Sequence, residues 1–161
     1  AELERLWEIK KSGITREGET LPVILCRVEG GFRRYIKNIP VYGGASIYIK
    51  IADENLIESI GIEWREINEK PKTEVRIIHP DIAAEKILKE LGSSYSDRTI
   101  TIDHFKPEFF DLGYYSKPKR QQQNYMQPVY IAGFKSLGSS EWNHLIVIPA
   151  SDLVFEHFNT N

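Results

Sequence analysis

The strongest limit on the fold comes from a run of alternating residues in the first half of the chain. The apolar positions are Ala45, Ile47, Ile49 and Ile51, and the residues between them are Ser46, Tyr48 and Lys50. A period of two predicts a strand with one face buried and the other in water. Such a strand needs paired neighbours, so we expect an antiparallel sheet here.

The flanking residues supply candidates for these neighbours. Residues 21–29 form an apolar run that ends at Gly30-Gly31, a hairpin signal, and Phe32 to Lys37 gives the return strand. Ile60, Ile62 and Trp64 alternate with polar residues and glycine in a fourth strand. Ahead of this meander, Leu3, Leu6 and Trp7 follow i, i+3, i+4 spacing, which predicts a helix over residues 2–11.

The same pattern restarts in the second half. Pro80 and Asp81 suit the first turn of a helix, whose apolar stripe is Ala84, Ile87, Leu88 and Leu91, with Gly92 at its end. Strands are predicted at 98–105, 109–115, 128–135 and 143–149, with a last extended piece near 153–158. The chain therefore predicts an α+β fold of two related halves, 1–72 and 73–161, or one continuous domain. In each half a helix precedes four strands.

Composition narrows the classes of function. A net charge of −2 over 161 residues gives no field that would attract nucleic acid. The single cysteine, Cys26, excludes an internal disulfide and a thiolate metal site, and its apolar strand predicts a small buried side chain. No signal peptide or membrane-spanning run is visible, so we expect no membrane insertion within this chain. Because the first residue is Ala1, we expect a processed protein or a fragment.

No residue set predicts a reaction. The histidines His79, His104, His144 and His157 lie on different predicted elements without metal-ligand spacing. Asp103 and His104 are neighbours on one strand and so point to opposite faces. Phosphate-binding loops and nucleophile elbows are missing from the sequence. We therefore expect a non-catalytic protein without a cofactor or metal.

Aromatic and basic residues beside loops are the candidates for an interaction site. One group surrounds the polar segment 116–127, and a pair flanks the first Gly-Gly turn. These candidates are Tyr114, Tyr115, Lys117, Lys119, Arg120 and Tyr125 in the first group, and Arg33 and Arg34 in the pair. Aromatic rings beside cations can anchor a protein or stack on a sugar. The alternative is that the tyrosines belong to the core and the lysines only maintain solubility.

Two short motifs resemble a known family. The stretch from Tyr35 to Gly43, Tyr-Ile-Lys-Asn-Ile-Pro-Val-Tyr-Gly, is similar to the propeptide module of thermolysin-like and fungalysin-like metalloproteases. The second half, with Pro128-Val129-Tyr130 and Val147-Ile148-Pro149-Ala150, is similar to PepSY-type modules and to cystatin-like regulatory domains. The resemblance implies two cystatin-like halves, each with a helix on a curved antiparallel sheet.

The resemblance also implies a role. Members of these families inhibit or assist the folding of peptidases, or act as regulatory domains outside the cytoplasm. We therefore expect a regulatory or protein-binding module that is secreted or tethered by a segment absent from this chain. Its partner would be a peptidase or a membrane regulator. A second hypothesis is a domain of a cell-surface protein that binds glycan or another ligand through Tyr114, Tyr115 and Tyr125.

Overall fold

The computed structural model describes residues 1–52, 56–67, 73–93, 104–137 and 144–155. In these ranges the chain forms nine strands and one helix, and it divides into two compact units. The first unit comprises Ala1–Glu66 and Ser116–Gln121, and the second comprises Ile67–Tyr115 and Gln122–Asn161. The expected α+β fold of two halves, each with a helix on a sheet, is wrong. The protein is mostly β, and its described helix lies in the second unit.

The first unit is built on a four-stranded antiparallel sheet with the order β1-β2-β5-β6. These strands are β1 (Glu2–Lys11), β2 (Ile24–Arg33), β5 (Ser46–Ala52) and β6 (Ile57–Glu63). Between β2 and β5 a short hairpin forms from β3 (Tyr35–Ile36) and β4 (Ile39–Gly43). Lys37 and Asn38 turn this hairpin with φ angles of 48° and 64°. Both values fall in the left-handed region used by tight two-residue turns.

The predicted helix over residues 2–11 is strand β1, and a β-bulge explains the error. Leu3 pairs with Phe32 and Arg5 with Gly31, so Glu4 is an extra residue in β1. The extra residue brings Leu3 and Leu6 onto one face although three positions separate them. An amphipathic helix produces the same spacing, and the sequence pattern does not distinguish the two.

The predicted hairpin at Gly30-Gly31 is also wrong, because β2 runs straight through both glycines. A Cβ atom at Gly31 would lie 3.0 Å from the Trp7 ring, and one at Gly30 would lie 3.6 Å from Leu3. Glycine thus makes room here for large side chains of the adjacent strand β1.

The second unit packs α1 (Pro80–Ser93) on an antiparallel sheet of β7 (Phe105–Ser116), β8 (Pro128–Ser136) and β9 (His144–Pro149). The helix begins at Pro80, as predicted, and buries Ala83, Ile87 and Leu91. Its partners in the core are Tyr130, Ala132, Phe134, Ile146 and Ala150. Gly92 lies inside the helix rather than after it. The predicted strand at 98–105 falls mainly outside the described residues, and 153–155 form no strand.

Both Pro-Val-Tyr elements lie on strands. Pro40 is the second residue of the short strand β4, and Pro128 is the first residue of β8. Val41 and Val129 are buried. The two elements therefore share a structural role as strand starts with a buried valine, which agrees with the lack of a donor on proline.

Segment Ser116–Gln121 belongs to the first unit through specific backbone contacts. The Gly44 N–H donates to the Ser116 carbonyl oxygen at 2.7 Å. A Cβ atom at Gly44 would lie 2.8 Å from the Lys117 carbonyl oxygen, so glycine permits this close approach. The Arg65 Nη2 donates to the Pro118 carbonyl at 2.7 Å and to that of Gln121, and it lies 3.4 Å from the Lys117 carbonyl.

Candidate functional site

Arg33, one of the two predicted interaction arginines, is held by other residues of its own unit. Its guanidinium forms an ion pair with Glu4 and lies over the Tyr42 ring, 4.2 Å from the ring centroid. Burial opposes the charged form, but the hydrogen bond and the charge of Glu4 outweigh it and raise the Arg33 pKa. These contacts give Arg33 a structural role within the first unit.

Arg34 is also engaged within the first unit. Its Nη1 donates to the Arg65 carbonyl at 2.7 Å, and its guanidinium lies 5.0 Å from the centre of the Trp64 ring. Burial lowers the Arg34 pKa from its ordinary value. Because β2 contains no Gly-Gly turn, the two arginines mark the end of a strand rather than a loop that could receive a ligand.

The predicted group around residues 116–127 divides between the units. Lys117, Lys119 and Arg120 belong to the first unit, and Tyr114, Tyr115 and Tyr125 to the second. Tyr114 and Tyr115 are consecutive in β7 and half-buried, so their rings point to opposite faces. The Tyr125 ring rests on Phe155 at 5.4 Å, and the Gln123 side chain bridges the carbonyls of Tyr115 and Tyr125. The two consecutive tyrosines therefore do not form one stacking platform.

The remaining candidates for chemistry are dispersed. The exposed His79 lies 3.3 Å from Asp81 in the first turn of α1, and the His144 ring meets Phe105 edge-on at 5.0 Å. Cys26 is half-buried, with its sulfur 3.9 Å from the Ile24 carbonyl oxygen. Across the described ranges, no three His, Cys, Asp or Glu side chains are arranged to hold a metal ion. His157 lies outside those ranges.

A different feature stands out as the candidate site: one face of the β1-β2-β5-β6 sheet is lined with apolar side chains from all four strands. Strand registers place Phe32 opposite both Leu3 and Ile47, and Ile49 opposite Ile60. Residues paired directly across an antiparallel sheet share a face. We call this surface the apolar face, and it consists of Leu3, Leu6, Leu25, Val28, Phe32, Ile47, Ile49, Ile51, Ile57, Ile60 and Ile62.

The apolar face is open where its outer strands lie. On β1 Leu3 and Leu6 are 57% and 64% exposed, and on β6 Ile57, Ile60 and Ile62 are 57–58% exposed. Antiparallel sheets usually bury their apolar face and leave only the polar face in water. Monomeric proteins rarely expose a contiguous apolar surface of this kind, and such surfaces mark sites of interaction.

The opposite face of the same sheet, which we call the charged face, carries ion-paired side chains together with the exposed rings of Trp7 and Tyr48. Arg27 contacts Glu29 at 3.0 Å and Glu58 at 3.3 Å, and Lys50 contacts Glu29 at 3.5 Å. Tyr48 lies directly across from Gly61, and its ring covers the space that a side chain at this position would fill. This charged face has the character of a surface in contact with water. The sheet is thus amphipathic, and within the described part of the chain the outer strands of its apolar side remain exposed.

The sequence pattern predicted several of the apolar positions but not the site that they form. The alternation of Ile47, Ile49 and Ile51 correctly predicted a strand with one apolar face. The expectation that a helix over residues 2–11 would cover that face failed, because those residues extend the sheet instead. The site follows from this change, because with residues 2–11 in the sheet the described part of the first unit contains no helix.

Comparison with known proteins gives no relative for this chain. No protein-family model, curated protein or solved structure matches it. The similarity to PepSY and propeptide modules therefore has no support beyond the short motifs, and the described residues do not form the two cystatin-like halves that it implied. Among the described residues, the helix α1 is too short and too polar to cross a membrane.

Proposed function

We propose that this protein is a non-catalytic protein-binding module, and that the apolar face is its binding surface. The observation that carries the proposal is the contrast between the two faces of one sheet. One face is aliphatic and open at both outer strands, while the other carries ion-paired charges and the rings of Trp7 and Tyr48. A water-facing sheet would carry polar residues on its outer side, so the exposed isoleucines indicate a surface that a partner covers.

The few charges near the apolar face support the same conclusion. Register places Glu8 and Lys10 on this side, at one end of β1, and they form an ion pair of 2.6 Å with each other. A partner could therefore cover the aliphatic centre without burying an unpaired charge, which would be the main energetic obstacle. The ion pair would lie at the polar rim that protein–protein interfaces commonly have.

The finer role expected from the resemblance, regulation of a peptidase outside the cytoplasm, stays a prediction. The glycan hypothesis also stays a prediction, and a glycan array with Tyr115→Ala as control tests it. The first concerns the identity of the partner, and the second places binding on tyrosines of the second unit rather than on the apolar face.

Two adjacent positions on β6 provide a matched test of that surface. Ile60 lies on the apolar face, and Ser59 lies on the charged face opposite Lys50. Ile60→Glu and Ser59→Glu add the same side chain one residue apart, so their effects on net charge and strand propensity are alike. Both variants are first checked for folding by circular dichroism.

The assay captures proteins from an extract of the source cells and then measures the dissociation constant of each recovered protein by calorimetry. We expect a partner whose binding weakens at least about tenfold with Ile60→Glu, because the carboxylate would be buried without a cation. Binding should not change with Ser59→Glu. If each recovered protein binds Ile60→Glu as tightly as the wild type, the apolar face is not the binding surface.

A further inference from the structure

We infer that the partner of the apolar face is a second copy of the same sheet, so that two chains pack face to face as a sandwich. This inference rests on the proposed function, because it assigns an occupant to the same surface. Three properties of the face support it: its shape, its lack of unpaired charge and its area.

The shape of the face fits a sheet better than a helix. Four strands spaced about 4.8 Å apart make a surface roughly 15–20 Å wide, whereas one helix covers about 10–12 Å. Two sheets pack face to face about 10 Å apart, at an angle of about 30° that their twists determine. Two copies of one sheet have the same twist, so a copy of this chain provides a matching surface.

The distribution of charge also permits self-association. In a two-fold interface each copy presents the same patch to the other, so any unpaired charge near the axis would meet its like. The centre of this face consists of Ile49 with Gly30 and Ile60 beside it, all uncharged. Glu8 and Lys10 lie at a corner and neutralise each other within one copy. Hence a two-fold axis through the centre brings no like charges together.

The area is sufficient for a specific dimer. A leucine or isoleucine side chain has on the order of 130 Å² of accessible surface, from about 30 Å² for each carbon. Six members of the face are about half exposed or more, and the other five are half-buried. Together they present roughly 600 Å² per copy, so a dimer would bury about 1,200 Å² in total. Specific interfaces begin near this value, and incidental contacts stay mostly below about 800 Å².

Analytical ultracentrifugation of the purified chain tests the inference. We expect a dimer in reversible equilibrium with the monomer. Ile60→Glu should raise the dissociation constant roughly a hundredfold or more, because each dimer would bury two unpaired carboxylates. Ser59→Glu should leave the constant unchanged. A chain that is monomeric up to about millimolar concentration overturns the inference, and so does a dimer that tolerates Ile60→Glu.

A labelling experiment keeps the inference testable if Ile60→Glu fails to fold. In a Cys26→Ser background, Ile62→Cys and Glu63→Cys place one thiol on the apolar face and one on the charged face. The maleimide reaction at Ile62→Cys should slow as the protein concentration passes through the dimer transition, while that at Glu63→Cys should not. Equal, concentration-independent rates contradict face-to-face packing.

The two proposals fail in different ways. A monomeric chain whose heterologous partner is lost with Ile60→Glu rules out the second copy but keeps the protein-binding surface. A chain in which Ile60→Glu changes neither self-association nor the binding of any partner rules out both.

Discussion

Arg65 holds segment Ser116–Gln121 in the first unit, and removing its guanidinium should release that segment. Its Nη2 donates to the carbonyls of Pro118 and Gln121 and lies within 3.4 Å of the Lys117 carbonyl. Nη2 carries two N–H groups but lies near three carbonyl oxygens, so the longest contact, to Lys117, contributes least to the docking of the segment. Arg65→Met keeps most of the aliphatic side chain while it removes these donors.

The size of the effect follows from the number and type of hydrogen bonds. A bond from a charged donor contributes about 1.5–3 kcal/mol, and the carbonyls of exposed residues can instead bind water when the donor is lost. We therefore use the lower end of the range for two bonds, which gives about 3 kcal/mol for docking of the segment. Since 1.4 kcal/mol corresponds to a factor of ten, the open population should rise roughly a hundredfold.

Limited trypsin digestion reads out this population directly, because Lys119 and Arg120 lie within the segment. We expect cleavage after these residues to accelerate roughly a hundredfold in Arg65→Met, while digestion elsewhere changes little. Arg65→Lys should give an intermediate rate, because an ammonium group can reach one carbonyl at a time. Arg16→Met is the control, since the exposed Arg16 lies in the β1–β2 connection. Unchanged cleavage after Lys119 and Arg120 in Arg65→Met would refute the anchoring role.

Three further predictions concern the second unit. Gly133→Ala should lower the free energy of unfolding by about 1–3 kcal/mol in urea titration, because its Cβ would overlap the half-buried Phe109 ring; a neutral result contradicts this packing. Tyr130→Phe should lower the free energy of unfolding by about 1 kcal/mol, because the buried hydroxyl donates to the Ile78 carbonyl at 3.0 Å. An unchanged midpoint of urea unfolding would show that this hydrogen bond does not stabilise the fold. Burial lowers the pKa of His144 below its ordinary 6.5, so the unfolded chain takes up the proton first. Stability should therefore be full above about pH 6.5 and fall as the pH decreases through the folded pKa, and His144→Phe should reduce that slope.

An element of this fold is predictable from the sequence where its residue types or their spacing are compatible with one backbone geometry. The start of α1 was predictable because Pro80 lacks an amide and Asp81 favours the positive end of the helix. β5 was predictable because strict alternation fits only a strand. In contrast, Leu3 and Leu6 in β1 are three residues apart, and only a bulge at Glu4 places them on one face of a strand. A spacing of three between apolar residues fits both a helix and a bulged strand, so the apolar pattern does not distinguish them.

The candidate site was less predictable than the fold. Arg33 and Arg34 were expected beside a turn, because adjacent glycines commonly form one. Gly30 and Gly31 instead leave space for the side chains of Leu3 and Trp7 on the neighbouring strand. This requirement arises from a contact between residues distant in sequence, so a local pattern does not show it. The apolar face depends on the register of four strands, and register is a property of pairs rather than of single segments. The face is also exposed because residues 2–11 form a strand of the same sheet and not the predicted helix.

The discontinuous composition of the first unit has a consequence for the order of synthesis. A ribosome delivers residues 1–66 well before residues 116–121, and the donors of Gly44 and Arg65 have no carbonyl partners in that segment until the later residues emerge. Synthesis of the roughly fifty residues between the two parts takes about 3–10 seconds at usual elongation rates. During this time the apolar face of the nascent sheet is exposed. Apolar surface that is exposed during folding favours aggregation and binds chaperones. We therefore expect the yield of folded chain to depend on the speed of translation.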